Sequence, residues 1–182
     1  MVVFDFDSYF VADMKDILSL WDKSITLQRN DFLQREGDVN TNIYYVVNGS
    51  LRIFVVNDDE EQIIRFGYKD NLVVSLDSFL LGTPSSFYIQ AIKKTELRII
   101  TKSSFDTYLS RGENIQTWIA ILESLVVQQM EREIDLLCSS PRERYLRVLQ
   151  RSPQLMQEIP MRYIANYLRM SPETLSRIKS RR

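Results

Sequence analysis

Residues 159–182 read IPMRYIANYLRMSPETLSRIKSRR. Two short amphipathic segments flank the turn Arg169-Met170-Ser171. In the first, Ile164, Ala165 and Leu168 form one packing edge; in the second, Leu175 and Ile178 point back towards it at helical spacing. Ala165 is small enough for two helices to cross closely. Ser171 suits an N-cap and Pro172 the first helical position, where a missing N–H costs nothing. The stretch therefore predicts a helix-turn-helix. Glu173, Thr174, Ser176, Arg177 and Lys179 are left for the outer face of its second helix. An exposed i, i+4 ion pair between Glu173 and Arg177, worth a few tenths of a kcal/mol, is the plain structural account of those two charges. The functional account is major-groove reading, with arginine paired to guanine and glutamate accepting from cytosine. Arg169 falls where such turns need positive φ; relative to glycine this costs about 1 kcal/mol.

Charge separates this tail from the rest. Residues 1–141 carry 13 Lys/Arg against 21 Asp/Glu, and residues 142–182 carry 10 against 3, balances of −8 and +7. A basic tail on an acidic body points to a polyanionic partner for the tail alone. The chain has no histidine and one cysteine, Cys138. That composition excludes the usual imidazole zinc site, a histidine-ligated haem, a histidine-based triad and an iron–sulfur cluster within one chain. No metal or cofactor is expected, no pair of acids looks poised for catalysis, and the chain reads as a non-enzyme. A cupin-type enzyme, the jelly-roll alternative, is disfavoured because such enzymes commonly hold a metal with several histidines. No apolar run approaches the ~20 residues of a membrane span, and MVVFDFDSYF lacks the basic start of a secretory signal. A cytoplasmic protein is expected.

Upstream, the first ~20 residues read as a short helix, with Phe10, Met14, Ile17 and Leu18 behind Ser8 as cap. From Ile25 to about Thr101 the period falls to two. NIYYVV and SLRIFVV are strands around Asn48-Gly49, a hairpin signal; NDDEE, QIIRFGY, YIQAI and ELRIITK follow. This predicts a β-roll or jelly roll. Ser103 is expected to cap the helix SFDTYLSR. A long helix should run from about Asn114 to Cys138. Its residues Ile119, Leu122, Val126, Met130, Ile134 and Leu137 lie 3, 4, 4, 4 and 3 apart, a stripe suited to a second copy of the chain. Packing on the chain's own β-domain is the alternative. Pro141 should break this helix and mark a hinge. PRERYLRVLQRSP adds an amphipathic helix with Tyr145, Leu146 and Leu149 inward and arginines outward. The organisation expected is α+β: a β-roll over 1–112, a dimerisation helix over 113–139 and a helix-turn-helix over 140–182.

β-roll, apolar helix, hinge and terminal helix-turn-helix, in that order and over essentially the whole chain, resemble the Crp/Fnr family of bacterial transcription regulators. IANYLRMSPETLSRI carries the resemblance most strongly, and REGDVNTNIYYVVNGSLRIF resembles the family's opening β-roll, with Gly37 and Gly49 at matching turns. The ETLSR core is similar to the recognition helix of the Fnr branch. The resemblance implies a homodimer reading a two-fold symmetric operator in double-stranded DNA. Glu173, Ser176 and Arg177 would then read bases, and Arg162, Ser171, Thr174, Lys179 and Arg181 are candidates for phosphate contacts. RNA polymerase and a small-molecule effector are further partners it allows. A ligand-binding regulatory module whose tail no longer binds DNA is the alternative function.

Three departures from the family narrow these expectations. Where members that bind cyclic AMP place a Gly-Glu pair and then an Arg followed by Ser, LVVSLDSFLLGTPSSFYIQAI has Val74, Ser75 and Ser85; only Ser86 and Ala91 keep the pattern. Without the arginine and glutamate there is no clamp for a cyclic phosphate and no partner for the ribose hydroxyl. Cyclic AMP is therefore not expected, and Ser75, Ser85 and Ser86 are left as candidate lining for a different effector or for a closed pocket. Arg169 replaces the usual turn glycine. No β-hairpin wing follows Arg182, so Lys179, Arg181 and Arg182 are expected to take over its backbone contacts.

Overall fold

The computed structural model describes residues 2–5, 20–21 and 23–180. The helix expected around Phe10, Met14, Ile17 and Leu18, with Ser8 as its cap, lies outside the described residues, as do Arg181 and Arg182. Residues 2–5 themselves are a strand, not part of a helix.

Among the described residues, nine strands form two antiparallel sheets. β1 (Val2–Asp5), β7 (Asn71–Val74), β4 (Ile43–Asn48), β9 (Thr95–Ile100) and β2 (Lys23–Leu27) make the first, in that order; β3 (Phe32–Gln34), β8 (Tyr88–Ala91), β5 (Ser50–Asn57) and β6 (Glu60–Tyr68) make the second. The period-two reading holds in detail on β9, where Thr95, Leu97 and Ile99 are buried and Glu96 and Arg98 exposed. Val46, Leu51, Ile53, Val73, Ile89 and Leu97 meet between the sheets.

The hairpin expected at Asn48-Gly49 does not form. β4 is flanked by β7 and β9, and β5 by β6 and β8, so the chain changes sheets at this corner. Of the two turn residues only Gly49 has positive φ, at +101°, whereas a two-residue type I′ hairpin needs both. The real tight hairpin joins β5 to β6 through Asp58 and Asp59, at φ 49° and 61°.

Among the described residues, seven α-helices follow or interrupt the strands: α1 (Leu76–Leu81), α2 (Lys102–Leu109), α3 (Ile115–Leu137), α4 (Pro141–Arg151), α5 (Leu155–Glu158), α6 (Met161–Tyr167) and α7 (Pro172–Ser180). Thr101, not Ser103, caps α2, accepting from the Ser104 N–H at 3.3 Å; Ser103 is already inside the first turn. α3 ends at Leu137, three residues short of where a proline break was expected to act. Pro141 instead opens α4 behind Ser140, whose hydroxyl accepts from the Glu143 N–H at 3.3 Å. Residues 138–140 are the connection between these helices.

α3 shows its two faces clearly. Ile121 and Leu125 are buried, with Trp118 and Leu122 packed beside them, against Phe79, Phe105 and Tyr108 of the β-roll. Ile119, Val126, Met130, Ile134 and Leu137 are exposed, Val126 by 60% and Met130 by 57%. Leu122 sits at the border. The expected stripe is thus not consumed by the chain's own β-domain.

Of the arginines of α4 only Arg142 points outward as expected. Arg144 is buried, and Arg147 and Arg151 turn towards Glu131 and Asp135 of α3. Buried Asp135 supplies the reason: its charge needs partners, and these two guanidiniums are within reach.

Candidate nucleic-acid interface

α6 and α7 pack as the sequence pattern requires. Ile164, Ala165, Leu168 and Leu175 are fully buried in one cluster, and Ile178 is half-buried against it. Ser171 caps α7, its hydroxyl accepting the Thr174 N–H at 3.2 Å. Arg169 occupies the left-handed region at φ 54°, as its place in the turn demands.

The turn is held by two buried arginines, one of which, Arg144, the sequence pattern places outward. The last carbonyls of a helix lack partners within it. Here Arg132 of α3 donates to the Tyr167 carbonyl at 2.7 Å, and Arg144 of α4 donates to the Leu168 carbonyl at 2.6 Å. Their positive charge suits the negative end of α6. Long charged side chains are rarely buried, so only their placement in three dimensions reveals this role.

With the turn pinned, α7 presents Glu173, Ser176, Arg177 and Lys179 to solvent, and Thr174 at the border. Among the described residues, Glu173 and Arg177 form no ion pair with each other. The amide of Glu173 itself and the Ser171 hydroxyl hold its carboxyl below the ordinary carboxylate value, so it is an acceptor at neutral pH. Arg177 and Thr174 share a shallow groove with Pro141 and Arg142. Arg142, at the start of α4, was not singled out from sequence; nothing in its local pattern places it beside α7. Lys179 reaches the Met161 sulfur at 3.5 Å, which sets it near the start of α6 and exposed Arg162. Lys179 thus sits by the start of α6, and Thr174 and Arg177 by the start of α4.

The three serines behave differently. Ser75 and Ser85 are buried, their hydroxyls 3.1 Å apart, and Ser75 donates to Asp77 at 2.9 Å. Ser86 is exposed. The trio does not converge as one pocket wall.

Residues 24–111 match the cyclic nucleotide-binding domain family. Among solved structures, FixK2 from Bradyrhizobium japonicum is similar with TM-score 0.75 and 18% identity, over 87% of this chain and 83% of that one. A double mutant of CooA from Carboxydothermus hydrogenoformans has TM-score 0.70 and 13% identity, over 96% and 84%. The fold is that of the Crp/Fnr regulators. CLP from Xanthomonas campestris, a c-di-GMP responsive global regulator, shares it with TM-score 0.65 and 16% identity, over 92% and 89%. No curated protein sequence matches the chain. Within this fold, Val74 and Ser75 stand at the end of β7 and the entry to α1, where Ser75 meets the Asp77 carboxylate. Among the described residues, no helix is long and apolar enough to cross a membrane, and no group of three or more His, Cys, Asp or Glu residues could hold a metal ion.

Proposed function

We propose that the chain is a homodimeric DNA-binding transcription regulator. The observation that carries this reading is α7: its apolar side is buried and pinned, and its other side offers Glu173, Ser176 and Arg177 with no ion pair among them. That arrangement suits base reading in a major groove, with Arg177 to guanine and Glu173 to cytosine. Arg162, Ser171, Thr174 and Lys179 flank these residues and take phosphates, joined by Arg181 next in sequence. Arg142 belongs with them, since it shares a groove with Arg177.

The exposed stripe on α3 supports the dimer. Two such stripes side by side would bury Ile119, Val126, Met130 and Ile134 and relate two α7 helices by a two-fold axis. Operator half-sites about 34 Å apart would follow from that symmetry. The β-roll then acts on DNA binding by biasing how the two tails are held. Cyclic AMP is not its signal in this reading, because the positions for the phosphate clamp carry Val74, Ser75 and Ser85.

Selection of bound fragments from random DNA tests the reading. A two-fold symmetric motif is expected, and Arg177→Ala should relax the preference at one base per half-site, costing about 1–3 kcal/mol there. Lys179→Ala should instead weaken all sequences alike and lower the salt slope by roughly 0.9 per phosphate lost. Recovery of no motif, or an unchanged motif with Arg177→Ala, would remove base reading from α7.

A further inference from the structure

The C-terminal helices and the β-roll do not close on each other completely. Between β6, α3, α4 and α6 lies a cavity of about 80 Å³. Arg65, Asn71, Gln128, Ser152 and Tyr167 supply its polar wall; none of Ser75, Ser85 and Ser86 lines it.

Two features of this wall and its surroundings are unbalanced. Asn71 is only 1% exposed; its Oδ1 accepts the Tyr68 N–H at 3.0 Å, which sets the orientation of the amide. Its Nδ2 then has no partner in the protein, although buried donors are nearly always paired. The second imbalance is charge. Arg65, Arg132, Arg147 and Arg151 gather around Tyr167 and Asp135. The carboxylates of Glu131 and Asp135 are taken up by Arg147 and Arg151. Arg65 donates to the neutral Gln129 Oε1 at 3.1 Å. Arg132, 4% exposed, lies 3.8 Å over the Tyr167 ring and leaves its Nη1 without a partner. Burial draws both guanidiniums below their ordinary pKa, and the attraction of Tyr167 and Asp135 does not fully offset it.

We propose that this cavity binds a small oxyanion, a carboxylate or an inorganic phosphate, through the Arg65 guanidinium, the Asn71 amide and the Ser152 hydroxyl. The space exceeds that of a single water several times over, which suits a small oxyanion and excludes a nucleotide. The wall comes from both halves of the chain: Arg65 and Asn71 from the β-roll, Ser152 and Tyr167 from the C-terminal helices. A bound anion therefore ties the two halves together and favours the arrangement described here. The site is independent of whether the tail reads DNA.

Isothermal titration of the full chain with sodium phosphate, and separately with sodium acetate, tests the proposal against sodium chloride at matched ionic strength. Saturable binding of one of the two, with a thermal midpoint raised relative to chloride, is expected and identifies which oxyanion the site takes. Asn71→Asp keeps the acceptor for the Tyr68 N–H and replaces the unpaired donor by a negative oxygen; it should fold and lose binding. Arg65→Gln should weaken binding by roughly tenfold or more. Saturation by neither salt, a chloride response of equal size, or unchanged affinity in Arg65→Gln overturns the proposal. If Asn71→Asp does not fold, Arg65→Gln decides alone.

Discussion

At Gly49 the backbone turns from one sheet into the other at φ +101°, and a Cβ there would stand 2.5 Å from the Thr95 Cα and 2.6 Å from the Lys94 carbonyl. Neither backbone atom can swing away. Gly49→Ala adds the strain of positive φ to that overlap, so a loss of about 3 kcal/mol or more is expected in urea denaturation. Asp77 gives a residue-scale prediction of a different kind. Burial would raise its carboxyl, but hydrogen bonds from Ser85, Ser75 and the Ser78 amide outweigh this and hold it below the ordinary 3.8. A carboxylate with a depressed folded pKa contributes stability that is fully present above the unfolded value and is lost as pH falls through the folded one. Asp77→Asn should therefore lower the urea midpoint at pH 7 and make little difference at pH 2. Arg169 shows what sequence reading does well at this scale: the turn's need for positive φ was legible from its position alone. The two arginines that hold the same turn were not. Arg132 and Arg144 look like any solvated base in sequence, and only the unfilled carbonyls at the end of α6 explain their burial.

Among the elements, α3 separates what periodicity can and cannot say. Its spacing showed one apolar stripe and additional apolar residues beside it. Which face meets the β-roll was not readable, because both are apolar. The structure assigns Trp118, Ile121 and Leu125 inward and leaves the stripe outside. Burying an apolar side chain is worth roughly 1.5–3 kcal/mol, so the stripe repeated on a two-fold partner is ample to hold a dimer. Replacing both Val126 and Met130 by glutamate should give a folded monomer by sedimentation velocity, with unchanged circular dichroism. A dimer that survives this double substitution would place the interface elsewhere. The strands were legible one by one for a simple reason: alternation is local. Their pairing was not, since Asn48-Gly49 carries the composition of a hairpin while β4 and β5 both find other neighbours.

For the molecule as a whole, the decisive feature is how the tail rests on the β-roll. Among the described residues β6 is the last strand of its sheet, so one row of its backbone groups has no strand there to pair with. The Asn166 side chain fills part of that row: its Oδ1 accepts the Ile63 N–H and its Nδ2 donates to the Glu61 carbonyl, each at 2.8 Å. The rings of Phe66 and Tyr167 meet at 57° with centroids 5.4 Å apart beside this clasp, and Lys93 pairs with Glu158 at 2.9 Å. No sequence signal distinguishes Asn166 from an ordinary polar residue near a turn. Asn166→Ala removes both bonds and should speed amide exchange at Ile63 well beyond any change at Val46 in the opposite sheet. Equal exchange in both variants would mean that the apolar contacts alone hold the tail.

The Asn166 clasp has a cost when it opens. A tail that swings away uncovers the bare rim of β6, and such a rim accepts any extended polypeptide of suitable length, including the same strand of a neighbouring molecule. Concentrated samples with the tail released should therefore be the ones that clump, and crowding should favour the folded-back posture for reasons unrelated to any signal.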